Sequence, residues 1–204
     1  MRRRVTLVSA VLFVALAVLV ELGAFTWLDQ HAVSHWMPWL QPQPHALVTI
    51  GGLFVPHTKP SAFGTVVDVW TYPAAVFPSG AIVALVVLLR RSDAAVWAVL
   101  WVAANVVELA GKLIVERPAL YFHGLHVSGF DHSLPSGHTM RSLVVAAALA
   151  ATWRTGRAAL LWAATIPFAL VALGDHTPTD VVAGIVAFTA LYAAAREEEC
   201  RLRN

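Results

Sequence analysis

The sequence predicts an all-α, polytopic membrane protein, a six-transmembrane helical bundle, and three observations carry that prediction. Hydrophobic residues make up 58% of the 204 residues and charged residues only 13%, too little polar surface to solvate a globule. Six apolar runs reach or approach the ~20 residues that cross a hydrocarbon core. The basic residues gather at alternate ends of those runs. The length suits a single domain over 1–204. A net charge of +2 gives no footing for nucleic acid as a partner. The lone cysteine, Cys200, lies in a charged tail and rules out an intrachain disulfide framework.

The first run, Val5–Trp27, follows Arg2, Arg3 and Arg4 and carries Glu21. Its length and the lack of a small-residue cleavage site read as an uncleaved anchor rather than a signal peptide. The segment Asp29–Val69 is rich in Pro, His and Trp and holds "HWMPWLQPQP". Trp27, Trp36 and Trp39 suit the headgroup belt. This segment reads as an outer loop with a short interfacial helix, either a lid over a site or a connector with aromatic anchors. Trp70–Leu89 and Ala94–Ile114 are the next two crossings. The last three, Pro135–Trp153, Ala158–Leu173 and Pro178–Ala195, are short for a span.

With both termini in the cytoplasm, Arg2–Arg4, Arg90, Arg91, Arg154, Arg157, Arg196, Arg201 and Arg203 all fall inside, as the positive-inside rule requires. Lys59, Lys112, Arg117 and Arg141 remain on the other face. Three of these stand beside polar clusters, a placement suited to an anion.

Those clusters are "KLIVERP" (Lys112–Pro118), "PSGH" (Pro135–His138) and "GDHTPTD" (Gly174–Asp180), and the topology brings all three to one boundary of the membrane. Pro135 before an apolar run marks a helix start, whose unpaired amides at Ser136, Gly137 and His138 attract a phosphate. Gly137 admits close approach to the backbone, Ser136 adds a hydroxyl, and His138 adds an imidazole that titrates near neutrality. Ser136 as a simple cap is the plainer alternative. In the third cluster Thr177 caps, Pro178 suits the first turn, and Asp180 stands where a capping-box acid would. His176, four residues earlier, is also within its reach, and a carboxylate on one imidazole nitrogen makes the other a better nucleophile. In the first cluster Glu108 precedes Lys112 by four, the favourable helical order. Arg117 offers a planar fork for phosphate oxygens.

In this order, "KLIVERP", "PSGH" and "HTPTD" resemble the signatures K-x6-R-P, P-S-G-H and S-R-x5-H-x3-D of the type 2 phosphatidic acid phosphatase family, which also includes bacterial acid phosphatases and vanadium haloperoxidases. The resemblance implies that His176 attacks phosphorus and carries a phosphoryl group, that Asp180 orients it, and that His138 protonates the leaving oxygen and later activates water. It implies that Lys112, Arg117, Ser136 and the Gly137 amide hold the phosphate, and that no metal or other cofactor is needed. Two family arginines are absent: the first falls at Ala119, and the Ser-Arg of the third signature falls at Ala169 and Leu170. Arg141, three residues after His138 on the same helical face, is positioned to replace one of them; snorkelling to the headgroups is the competing explanation.

The function implied is a metal-independent phosphatase of the cell membrane, acting at the extracytoplasmic face on a lipid phosphate. Candidate substrates are a polyprenyl phosphate or diphosphate, phosphatidate and phosphatidylglycerophosphate. A non-catalytic lipid-phosphate binder or transporter, and a phosphotransferase to an acceptor other than water, are the alternatives. The pairs His31/His35 and His123/His126 lack accompanying Cys or acidic ligands and read as interfacial loop residues rather than a metal site. Asp131 and His132 stand where they would shape the entrance to the second motif.

Overall fold

A computed structural model describes residues 2–40, 61–90 and 94–202. Residues 41–60 of the expected outer loop, with Lys59, and also Arg91 and Arg203 lie outside the described residues.

Helix α1 (Arg2–Glu21) stops short of the expected Trp27 because Gly23 takes a left-handed φ of 77°, the conformation that closes helices. The chain turns there and starts a separate helix, α2 (Thr26–His35). Helix α3 (Ala62–Thr71) opens on Ser61, whose side chain accepts from the Gly64 amide at 2.9 Å. A 3-10 turn at Tyr72–Ala74 and a 45° bend then lead into α4 (Val76–Arg90). The expected single crossing Trp70–Leu89 is therefore broken. Pro73 removes a backbone donor, and Ala75 is extended at φ −65° and ψ 160°.

Helix α5 (Ala95–Ile114) is continuous, as expected. After it comes a hairpin that the sequence reading lacked: β1 (Tyr121–Phe122) pairs antiparallel with β2 (Leu125–His126). His123 at φ 49° and Gly124 at φ 80° make its two-residue turn, which demands two positive φ angles. The remaining helices are α6 (Gly137–Thr152), α7 (Ala158–Leu173) and α8 (Pro178–Leu202), the last continuing past Ala195 into the charged tail.

Among the described residues, four helical segments are long and apolar enough to cross a membrane: Arg3–Glu21, Ala95–Ile114, Thr155–Leu173 and Pro178–Glu198. The bent α3–α4 pair makes a fifth, against the six expected. The expected crossing outside this set is α6, whose 16 residues rise about 24 Å, less than the hydrocarbon thickness. It is the central helix, packed by α4, α5, α7 and α8, while α1 lies along α8. Met140, Val144, Val145 and Ala148 of α6 form the main core with Val83, Val86, Trp97, Leu100 and Ala187. Large apolar side chains such as Leu88, Leu113, Leu161 and Phe168 face outward, the arrangement a lipid solvent permits.

Two glycines bring neighbouring helices onto the entry of α6. A Cβ at Gly111 of α5 would stand 2.7 Å from the Leu134 carbonyl oxygen, and one at Gly184 of α8 would stand 2.8 Å from that of Ser136. Gly184→Val therefore has to push α8 off the mouth of α6. It is expected to cost about 1–3 kcal/mol, the usual range for overpacking, read as a lower thermal midpoint in detergent. Gly129→Ala, where an added Cβ meets nothing within 4 Å, serves as the neutral control.

Candidate active site

Two helix mouths meet at one end of the bundle. Ser136 caps α6, its hydroxyl accepting from the Thr139 amide at 3.3 Å and the Thr139 hydroxyl at 3.0 Å. At α8 the expected capping box forms in both directions: the Thr177 amide donates to Asp180 Oδ2 at 2.9 Å, and the Asp180 amide donates to Thr177 Oγ1 at 3.4 Å. The mouths are tied by the Ser136 amide, which donates to the Asp180 carbonyl at 3.0 Å. Ser136 was expected to offer this amide to a ligand; the close approach of α8 engages it internally.

The histidines of the two mouths face one space. The ring centroids of His138 and His176 are 6.2 Å apart and the rings are tilted by 59°. His176 Nδ1 lies 3.5 Å from Asp180 Oδ2 and, among the described residues, makes no better hydrogen bond. Asp180 is fully buried and firmly held. Its Oδ2 also accepts from the Ser133 hydroxyl at 2.7 Å, and its Oδ1 pairs with Arg117 Nη2.

Arg117 does not lie open as a phosphate fork. It is 6% exposed. Nη1 donates to Asp29 Oδ2 at 2.8 Å and to Thr177 Oγ1 at 2.7 Å, while Nη2 serves Asp180. Asp29, on α2, is held in turn by the Thr179 hydroxyl at 2.6 Å and the Thr179 amide at 3.2 Å. Burial pushes the Asp29 carboxyl above its usual range, against the downward pull of Arg117. One cation thus stands between two carboxylates.

Across the histidine pair the charges are reversed. Glu108 stands between two cations, accepting from Lys112 Nζ at 2.8 Å and pairing with Arg141 Nη1. Arg141, only 2% exposed, does not snorkel to the headgroups. Its Nε donates to the Ala74 carbonyl at 2.8 Å, freed by the α3–α4 break, and Nη1 also reaches Asn105 Oδ1 at 3.1 Å. Gly137 lies directly under this cluster: a methyl group there would overlap the Glu108 carboxylate.

Lys112, Ser136, Gly137, His138, Arg141, His176 and Asp180 therefore gather at the α6 and α8 mouths, with Arg117 behind Asp180. Asp29, Ser133, Asn105 and Thr179 belong to the same network without having been singled out in the sequence. Asn105 carried a usable signal, a polar residue three before Glu108 within a crossing. Four other described histidines make contacts of their own. His31 and His35 stack at 4.4 Å on α2, His123 makes the hairpin turn, and His126 Nε2 meets Asp131 Oδ1 at 2.8 Å.

The sequence matches the PAP2 superfamily over residues 6–197. No protein of curated function matches it. Among solved structures, the fold is similar to the first transmembrane PAP2-type phosphatidylglycerolphosphate phosphatase from Bacillus subtilis, with a TM-score of 0.66 and 18% identity over 96% of both chains.

The Arg117 bridge makes Asp29 a sensitive position. Asp29→Ala leaves Arg117 Nη1 and the Thr179 amide each short of an acceptor while Arg117 keeps Asp180, and is expected to destabilise the protein by about 1–3 kcal/mol. Asp29→Asn keeps an acceptor for Arg117 and Thr179 and should cost less. Unfolding of both variants in detergent, monitored by intrinsic tryptophan fluorescence, checks the order.

Proposed function

The chain belongs to the PAP2 superfamily, and on that premise we propose that it is an integral membrane lipid phosphate phosphatase working through a phosphohistidine. The observation that carries this reading is the pairing of His138 with His176 across 6.2 Å, with Asp180 behind one of them. His176 Nε2 attacks phosphorus, forming an N–P bond as the bond to the lipid oxygen breaks. His138, protonated once the anionic phosphate lies beside it, gives its proton to that oxygen. It then takes a proton from water, whose oxygen attacks phosphorus and releases inorganic phosphate and free His176.

Asp180 supports the nucleophile by holding Nδ1 as the protonated nitrogen. Its contact of 3.5 Å is long for this task, but hydrogen bonds to catalytic histidines commonly tighten when substrate binds. Arg117 acts through Asp180 rather than on substrate, since its terminal nitrogens are engaged by Asp29, Thr177 and Asp180. Lys112, Arg141, Ser136 and the α6 mouth with Gly137 receive the phosphate. Positioned cations and helix-end amides suit phosphoryl transfer, which depends chiefly on placement and charge neutralisation. The reading assigns no metal.

The substrate is a phosphomonoester or diphosphate on a lipid: a polyprenyl phosphate or diphosphate, phosphatidate or phosphatidylglycerophosphate. The Bacillus subtilis neighbour supports including the last of these. The termini lie in the cytoplasm and the site opens at the extracytoplasmic face, a reading supported by the arginine pattern. Arg90 Nη2, at the far end of α4, donates to the Thr152 carbonyl at the far end of α6, 3.2 Å away, so basic residues cluster opposite the histidines. A second reading, a lipid-phosphate binder without turnover, is favoured by the internal pairing of Arg117 and Arg141.

Phosphate release from a panel of these lipids, in detergent with chelator, separates the two readings. Turnover is expected. His176→Ala should abolish it together with acid-labile phosphoenzyme, and His138→Ala should lower kcat about 10²–10⁴-fold. A His176→Ala variant with full activity refutes the nucleophile.

A further inference from the structure

Glu108 carries a negative charge to the place where a phosphate would sit. Its carboxylate lies against the Cα of Gly137, in the space that a methyl group would fill, at the first turn of a 16-residue helix. That position combines the unpaired amides and positive dipole end that favour an anion. Both flanking cations, Lys112 and Arg141, point at the same carboxylate. Building on the phosphatase reading above, we propose that the Glu108 side chain is a resident competitor for the phosphate seat, displaced when substrate binds and returning to expel the product phosphate.

The surroundings are built for such an exchange. Arg141 keeps two anchors that do not involve Glu108, the Ala74 carbonyl at 2.8 Å and Asn105 Oδ1 at 3.1 Å, so it stays in place when the carboxylate leaves. Lys112 is 38% exposed along its side chain and is free to follow either anion. Gly137 is required because any side chain there would exclude both occupants. A phosphate arriving at this seat exchanges one carboxylate for an anion with more oxygens and at least equal charge. The lipid ester prevails over Glu108 through the added hold of its apolar tail, whereas inorganic phosphate, lacking a tail, faces the competitor unaided. Product release is thereby favoured over product inhibition.

The test uses the full chain in detergent, with inorganic phosphate as the probe. Binding is read from calorimetry and from inhibition of lipid turnover. Glu108→Gln retains shape and removes the charge; it is expected to bind phosphate at least about tenfold more tightly, with a lower KM and a kcat reduced by slower product release. Glu108→Asp, which shortens the reach by one methylene, should tighten phosphate binding to a smaller degree and covers the case that the glutamine variant fails to fold. If Glu108 merely holds Lys112 and Arg141 in position, both variants bind phosphate more weakly and KM rises, which overturns the inference. Unchanged phosphate affinity overturns it as well. Tighter phosphate binding in a chain that turns over no lipid phosphate upholds the competitor while the phosphatase reading fails.

Discussion

A guanidinium shared by two carboxylates is the constraint on which the rest of this structure depends. Arg117 comes from the segment after α5, Asp29 from α2 and Asp180 from the first turn of α8. All three are nearly free of solvent. A buried charge with its partner removed is far more costly than the pair itself, so the packing of each of the three elements depends on the others. The Ser133 hydroxyl and the Thr179 amide then donate to the remaining oxygens of Asp180 and Asp29, and Thr177 Oγ1 accepts a further guanidinium hydrogen bond. The result is a rigid back wall for His176, fixed by segments far apart in sequence.

The second ionic group, around Glu108, has the opposite balance and a different character. It is more accessible through Lys112, and its carboxylate lies on a helix mouth instead of within a wall. The two imidazoles stand between a region richer in carboxylate and one richer in cation. On the phosphatase reading proposed above, such an arrangement separates functions: one side holds a proton in place on an imidazole, and the other receives an anion. Neither group alone would distinguish a chemical site from a structural ion pair, which also occurs within membrane bundles.

The parts legible in the sequence are those governed by local rules. The α8 capping box, the Ser136 cap and the Glu108–Lys112 pair depend on spacings of three or four residues, and each forms. The apolar runs yield helices near their expected places because backbone groups in lipid must pair within a segment. What escaped the sequence depends on partners that are remote along the chain. Asp29 meets Arg117 across 88 residues, and no periodicity announces such a contact. The α3–α4 break at Pro73 was local but small, within a run read for its hydropathy, and the His123–Gly124 hairpin turn fell in a stretch read for its histidines. Arg117 read as a phosphate fork because its chemistry permits that use; only the arrival of Asp29 shows how its nitrogens are employed.

The elbow between α3 and α4 has a mechanical corollary. By interrupting the helical ladder it exposes the Ala74 carbonyl, and the group that answers it, Arg141 Nε, sits on a different helix at the centre of the bundle. Beside the elbow lies an apolar hollow of about 530 Å³, walled by Val69, Trp70, Pro73, Val145 and Trp162 among others. Hydrocarbon pressing into that hollow would lever the elbow, and the elbow is tethered to the residue that grips Glu108. Bilayer and the proposed anion seat would then be linked through a single main-chain oxygen.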